Sequence, residues 1–401
     1  MNSIKRILYS AAFMLALLAT GCGDANQKLS ALPLIDMNAD YPEKEICLQD
    51  VADVSYIPLE TTDDVLLHNS LNFEDVSSKG IVCVSDNKIF LFHPDGKSRA
   101  VLNRQGQGPG EYRYVHYASV DWDREEIYVN DIHQNLMLVY SLDGTYKQQF
   151  DLEMQGRQGD MLCDDDAHIV LYKEKSGSLE VGNIVPPYRP VVLMSKEDGS
   201  IDSLSHQQDY YTTVSVEGKV GDNSLTMLLP IPALRKLNGE VYVSEVASDT
   251  IYRLADGRLE PFVARTPSVK EEDGGKYLLQ LKGVTPNHYF FSVMKKEWIP
   301  ESSVGSSLHI ADDAINDLMY DKRTGESFHP IFSLREYKAK LFYEGLTFES
   351  CSDANTAYLK LEAFDLIEAL EAGELSGELK TIAEGLKEDD NPVLMVVKFN
   401  E

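Results

Sequence analysis

From residue 53 onward the chain alternates short apolar runs with polar turns, the pattern of strands rather than of helices. Five stretches share one grammar: "IVCVSDNKIFLFHPDGK" (81–97), "IYVNDIHQNLMLVYSLDGT" (127–145), "IVLYKEKSG" (169–177) with "VVLMSKEDGS" (191–200), "VYVSEVASDTIYRLADGR" (241–258) and "LHIADDAINDLMYDKRTGE" (308–326). In each, a strand ends in a polar turn, a second strand follows, and that strand ends in Asp-Gly or Thr-Gly, a tight-turn signal. These dipeptides begin at 95, 143, 198, 256 and 324. A sixth stretch, "AYLKLEAFDLIEAL" (357–370), keeps the strand but lacks the turn and runs into a helical pattern.

Such hairpins cannot bury both faces alone, and stacking them around an axis can. The predicted fold is all-β: a six-bladed β-propeller over residues 44–401 with short helical insertions and a C-terminal helical segment. Helical spacing predicts helices at 270–282 and at 364–387, the second interrupted by Gly373 and Gly377. "DVSYIPLE" (53–60) is expected to join a blade made from the other end of the chain. The apolar "PVLMVVKF" (392–399) is expected to be a buried or closing strand.

Between the first two hairpins lies "NRQGQGPGEYRYV" (103–115). Its glycines invite comparison with a phosphate-binding loop. A dinucleotide fingerprint needs GxGxxG after a strand and opening a helix. Here Gly106, Gly108 and Gly110 are spaced GxGxG, Pro109 removes one N–H donor, and the residues after Gly110 are strand-like. The stretch reads as a crossover between blades, with glycines that permit positive φ. Arg104, Glu111, Tyr112 and Arg113, with His116 and His133 nearby, form the candidate ligand-binding set. Arginine can fork onto a carboxylate and tyrosine can stack on a sugar ring. Alternatively, Glu111 and Arg104 tie neighbouring blades together.

Charge and leader narrow the class. Of 401 residues, 37 are Lys or Arg and 65 are Asp or Glu, giving a formal charge of −28. This argues against nucleic-acid binding, which calls for a basic footprint. Lys5 and Arg6 precede an apolar run from Ile7 to Ala19, shorter than the ~20 residues of a membrane-spanning helix. "LLATGC" then resembles a bacterial lipobox ending in Cys22, with Ala19 where leucine is usual. Residues 1–21 are expected to be a lipoprotein signal peptide and 22–43 a tether. Cys47, Cys83, Cys163 and Cys351 are far apart and show no zinc pattern; Cys83, in an apolar run, is expected to be buried.

The lipobox, "VSYIPLETTDD" (54–64), "GQGPGEY" (106–112) and "DNPVLMVVKF" (390–399) together resemble six-bladed propeller lipoproteins of anaerobic Gram-negative gut bacteria. The crossover and the hairpin after it are similar to an NHL or TolB-like repeat. "YKEKSGSLEVGNIVPPYRP" (172–190) departs from that pattern in the third blade. The resemblance implies a fold and no reaction.

Candidate chemistry is sparse. There is no HExxH, P-loop or GxSxG, and no cofactor or metal is expected. Acidic runs at 164–166, 312–313 and 388–390 lack the spacing of a calcium loop and read as solvated turns. The expected function is that of a monomeric, lipid-anchored protein of the cell envelope, in the outer membrane. Its propeller face would bind a peptide, a glycan or an envelope protein. The other reading is an envelope hydrolase or lyase with a histidine–carboxylate site at the central channel.

Overall fold

A computed structural model describes residues 32–68, 71–152, 157–174, 181–220, 223–229, 231–272, 274–298, 303–304, 307–308, 314–338 and 346–400. Cys22 with the rest of the predicted leader, and the acidic pair at 312–313, lie outside the described residues. The described chain is a six-bladed β-propeller. Strands a to d run from the axis outward in each blade. Blade I is Asn72–Ser77, Gly80–Ser85, Lys88–Phe92 and Ser98–Leu102. Blade II is Tyr117–Asp121, Glu126–Asp131, Leu136–Ser141 and Tyr146–Asp151. Blade III is Arg157–Cys163, His168–Glu174, Val191–Ser195 and Ile201–Ser203. Blade IV is Leu234–Leu237, Glu240–Val243, Thr250–Ala255 and Arg258–Thr266. Blade V is Tyr277–Val284, His288–Lys295, Ile315–Asp321 and Ser327–Ser333. In blade VI, Thr347 bridges Tyr358 at the axis side, followed outward by Thr356–Leu361, Val393–Phe399 and Ala52–Pro58.

The repeated dipeptides mark the c–d turns of blades I to V. Gly96, Gly144, Gly199, Gly257 and Gly325 sit there with φ between +68° and +82°, a conformation that glycine alone adopts without cost. Blade VI has no such dipeptide because its c and d strands come from opposite ends of the chain. Val393–Phe399 pairs antiparallel with Ala52–Pro58 along its whole length. The ring is thus closed by hydrogen bonds where the other blades use a covalent turn.

The amino-terminal segment does more than this. Leu34–Asp36 lies parallel to the d strand of blade IV, and Glu43–Cys47 lies parallel to the d strand of blade V. Residues 32–43, expected as tether, therefore begin the fold. Ile35 is fully buried and Met37 is 8% exposed, which holds the strap down. The predicted helix at 270–282 is also corrected: Gly274–Lys276 is a 3-10 turn and Tyr277–Val284 is the inner strand of blade V. Leu278, Leu279, Leu281 and Val284 mimic helical spacing because an inner strand is packed on both faces and loses its period of two. The second prediction is borne out as Ala363–Glu371 and Gly377–Ala383, separated at Ala372–Ser376.

Polar ties join the blades. Lys196 Nζ donates to Asp121 Oδ2 at 2.6 Å with both groups buried. Trp122 Nε1 donates to Asp75 Oδ2 at 2.5 Å, and Asp160 Oδ2 accepts Leu234 N at 2.9 Å. Cys47, Cys83, Cys163 and Cys351 are separate thiols, Cys83 buried as expected.

Candidate functional site

The glycine-rich crossover runs from the outer strand of blade I to the inner strand of blade II. Its first half folds back on itself: Gly106 N donates to Tyr112 O at 2.9 Å and Tyr112 N donates to Arg104 O at 3.0 Å. Glu111 turns into this loop, and its Oε2 accepts Gly108 N at 2.8 Å. A Cβ at Gly106 or Gly108 would stand 1.9 or 3.1 Å from that oxygen. These two glycines make room for the Glu111 carboxylate, and neither has positive φ. Gly110 alone of the three has it, at +72°. The anion in this cradle is the protein's own side chain, which is why the loop looks like a phosphate site in sequence.

Of the candidate ligand residues, two are spent inside the protein. Tyr112 is fully buried, with its ring edge-on to Tyr140. Its hydroxyl donates toward Leu102 O and Asn87 O, each at 3.1 Å, and burial raises its pKa. A ring so enclosed packs the blade I–II seam and cannot stack on a sugar. Glu111 closes the loop as described and does not pair with Arg104. Arg104 does reach across the seam, where Nη2 approaches Gly144 O of blade II at 3.4 Å.

The second half of the crossover carries the others to the face formed by the b–c turns. Two residues clamp it. Asn87, itself at φ +62°, accepts Val115 N at 2.6 Å through Oδ1 and donates to Arg113 O at 3.1 Å through Nδ2. Asp131, fully buried, accepts Arg113 N at 2.6 Å and Gln134 Nε2 at 2.8 Å through Oδ2, and His133 N at 3.0 Å through Oδ1. Asp131 makes an Asx turn, its carboxylate accepting the amides two and three positions on, and both side chains reach the crossover backbone from their b–c turns. The clamp leaves Arg113, Tyr114 and His133 exposed and His116 half-buried. The Tyr114 ring lies 6.2 Å from that of His133 and 6.5 Å from that of His116. Tyr114, 49% exposed, is the member of this cluster not singled out in the sequence. The alternation between buried Tyr112 and exposed Tyr114 was its signal.

The axis is built differently. The inner strands carry Glu74, Asp160, Arg235, Lys236 and Gln280, and none of them carries a histidine. Arg235 Nε meets Glu349 Oε2 at 3.0 Å, joining blade IV to the chain entering blade VI. Asn238 Oδ1 accepts Asn355 N at 2.7 Å between the same two blades. Burial pushes Glu74 up to about 8. Among the described residues, no three His, Cys, Asp or Glu side chains form a metal-holding group.

Fold and site together define a six-bladed propeller with a decorated loop face and a polar axis. The chain belongs to the family described as a domain of unknown function, DUF4934, whose model matches residues 32–398. A crystal structure of a protein of Bacteroides fragilis presumed to be exported aligns with 92% of this chain and 99% of its own, at 16% identity and a TM-score of 0.63. A DUF4221 member from Bacteroides vulgatus aligns over 88% of this chain and 98% of its own, at 10% identity and a TM-score of 0.49. No curated protein matches the chain.

Proposed function

We propose that this protein is a monomeric binding protein of the cell envelope, lipid-anchored through Cys22 to the outer membrane, whose loop face captures an acidic glycan. The observation that carries the reading is the exposed Arg113–Tyr114 pair beside His133, held by Asn87 and Asp131. An exposed ring offers an apolar face to a sugar, and a guanidinium takes a carboxylate through two parallel hydrogen bonds. A rigid backbone beneath them reduces the ordering cost of binding. The net charge of −28 does not oppose a short ligand, since charges beyond about 10 Å are screened at ~0.1 M salt. The short apolar leader ending in "TGC" supports the anchor.

Calorimetric titration with trigalacturonate tests the binding. The wild-type chain binds it saturably, and Tyr114→Ala and Arg113→Ala each weaken it at least tenfold with unchanged thermal unfolding. Equal affinity in the two variants and the wild type, or no binding by the wild type, defeats the glycan reading. For the anchor, Cys22→Ser abolishes labelling by a fatty-acid probe and releases the protein from membranes; retained labelling sinks it.

A further inference from the structure

A cavity lies on the face opposite the Tyr114 cluster, between blades V and VI, with a volume of about 230 Å³. Its walls are Ile46 and Val51 from the amino-terminal strap and Met319, Phe332 and Phe399 from the two blades. His288 and Arg323 stand among its polar lining. It is smaller than the ~300–1,000 Å³ pockets of drug-sized ligands. Its occupant would be compact, a single ring or a short branched chain.

Three cations, Lys44, Lys322 and Arg323, and one carboxylate, Asp321, act on His288 in this region. Lys44 Nζ sits 4.7 Å above the Phe328 ring, and Lys322 Nζ sits 4.2 Å above the Tyr289 ring while donating to Thr285 O at 2.5 Å. Rings and a carbonyl cradle these cations without cancelling their charge. Arg323 follows Lys322 in the c–d turn of blade V. The carboxylate facing the group is Asp321, already committed to the backbone N–H of Arg323 at 2.8 Å and to Arg323 Nη2 at 3.4 Å. His288 Nε2 stands 3.9 Å from Asp321 Oδ2, too far for a hydrogen bond. Burial lowers the His288 pKa against the pull of Asp321, and Lys44, Arg323 and Lys322 lower it further. A neutral imidazole there can donate one hydrogen bond without a charge of its own.

We propose that this cavity binds a small organic carboxylate with an apolar body. The hydrocarbon would lie against Met319, Phe332 and Phe399, and the carboxylate would meet Arg323 and His288. The strap makes the site contingent on its own docking against blade V, because Ile46 and Val51 wall the cavity only when the amino-terminal segment is in place. This ligand is distinct in size and place from a glycan on the loop face, so either reading can fail alone.

Ligand-observed NMR on the full chain tests it, with phenylacetate as the probe and phenylacetamide and 2-phenylethylamine as isosteres. Phenylacetate binds saturably, and both isosteres bind at least tenfold more weakly. Arg323→Ala, at a side chain 71% exposed and outside the core, weakens phenylacetate at least tenfold and phenylacetamide little. Val51→Trp, which fills the cavity from the strap, removes binding of all three; if that variant does not fold, Arg323→Ala decides. No saturable binding of phenylacetate, equal affinity for the amine, or an Arg323→Ala chain that binds like the wild type overturns the proposal.

Discussion

At Gly110 two costs coincide. Its φ of +72° strains any residue with a side chain, and a Cβ there would stand 2.6 Å from the Tyr146 ring. Gly110→Ala is expected to lower stability by roughly 1–3 kcal/mol, read as a shift in denaturant midpoint at constant slope. Gly108→Ala meets only the movable end of Glu111 and should cost less; equal losses would show that backbone strain is not the distinguishing term. Glu126 provides a residue-scale dependence on pH. Burial alone would raise its pKa, yet hydrogen bonds from Lys147, Tyr128 and Arg124 outweigh burial and hold it at about 2, against 4.5 for the free group. The folded pKa is depressed, so the stabilisation is present above pH 4.5 and is lost as pH falls toward 2. Glu126→Gln is expected to flatten the pH dependence of stability in that window, by no more than about 3 kcal/mol, in denaturant titrations at stepped pH. A variant whose acid limb superimposes on that of the wild type rules this out. Much of this scale was illegible in sequence. "GQGPGEY" shows that glycines are needed, but the partner that excludes a side chain at Gly106 is a carboxylate five residues later, placed by a turn.

The element that decides the ring is the seam between Ala52–Pro58 and Val393–Phe399. Met395 is fully buried in the central strand, flanked by Tyr56 on one side and Leu359 on the other. Met395→Pro removes a ladder N–H and clashes with the strand, an effect of ~3 kcal/mol or more in regular structure. Because that ladder is the closure, the variant should lose cooperative thermal unfolding in calorimetry. A sharp transition within a few degrees of the wild type would mean that the ring is held elsewhere. Both seam strands were recognisable from their apolar runs, as was the interruption between the two carboxy-terminal helices. The inner strand of blade V was not. Its apolar residues satisfy a helical period and a doubly packed strand equally well, and only its position between two blades separates them. The parallel additions at Leu34–Asp36 and Glu43–Cys47 were hidden for a related reason: short segments carry too little periodicity to outweigh a leader-proximal, polar context.

Over the whole molecule, a formal charge of −28 makes self-repulsion a general destabilising term. Added salt screens it, with a Debye length falling from ~30 Å at 0.01 M to ~10 Å at 0.1 M. The melting temperature is therefore expected to rise when sodium chloride increases over that range. A fall would show that ion pairs such as Lys79–Asp123, at 2.6 Å, outweigh the repulsion. The sequence by itself determined the number of blades, the five c–d turns and the closure from opposite ends. Those features are written in local periodicity and turn chemistry, which act over a few residues. Only the tertiary structure decided that Tyr112 is buried while Tyr114 is exposed, that Glu111 fills the cradle beside it, and that the strap walls a cavity. The Glu111 contact depends on the path of the turn, and the other two depend on which groups meet across blades; contacts between residues distant along the chain leave no period in the sequence.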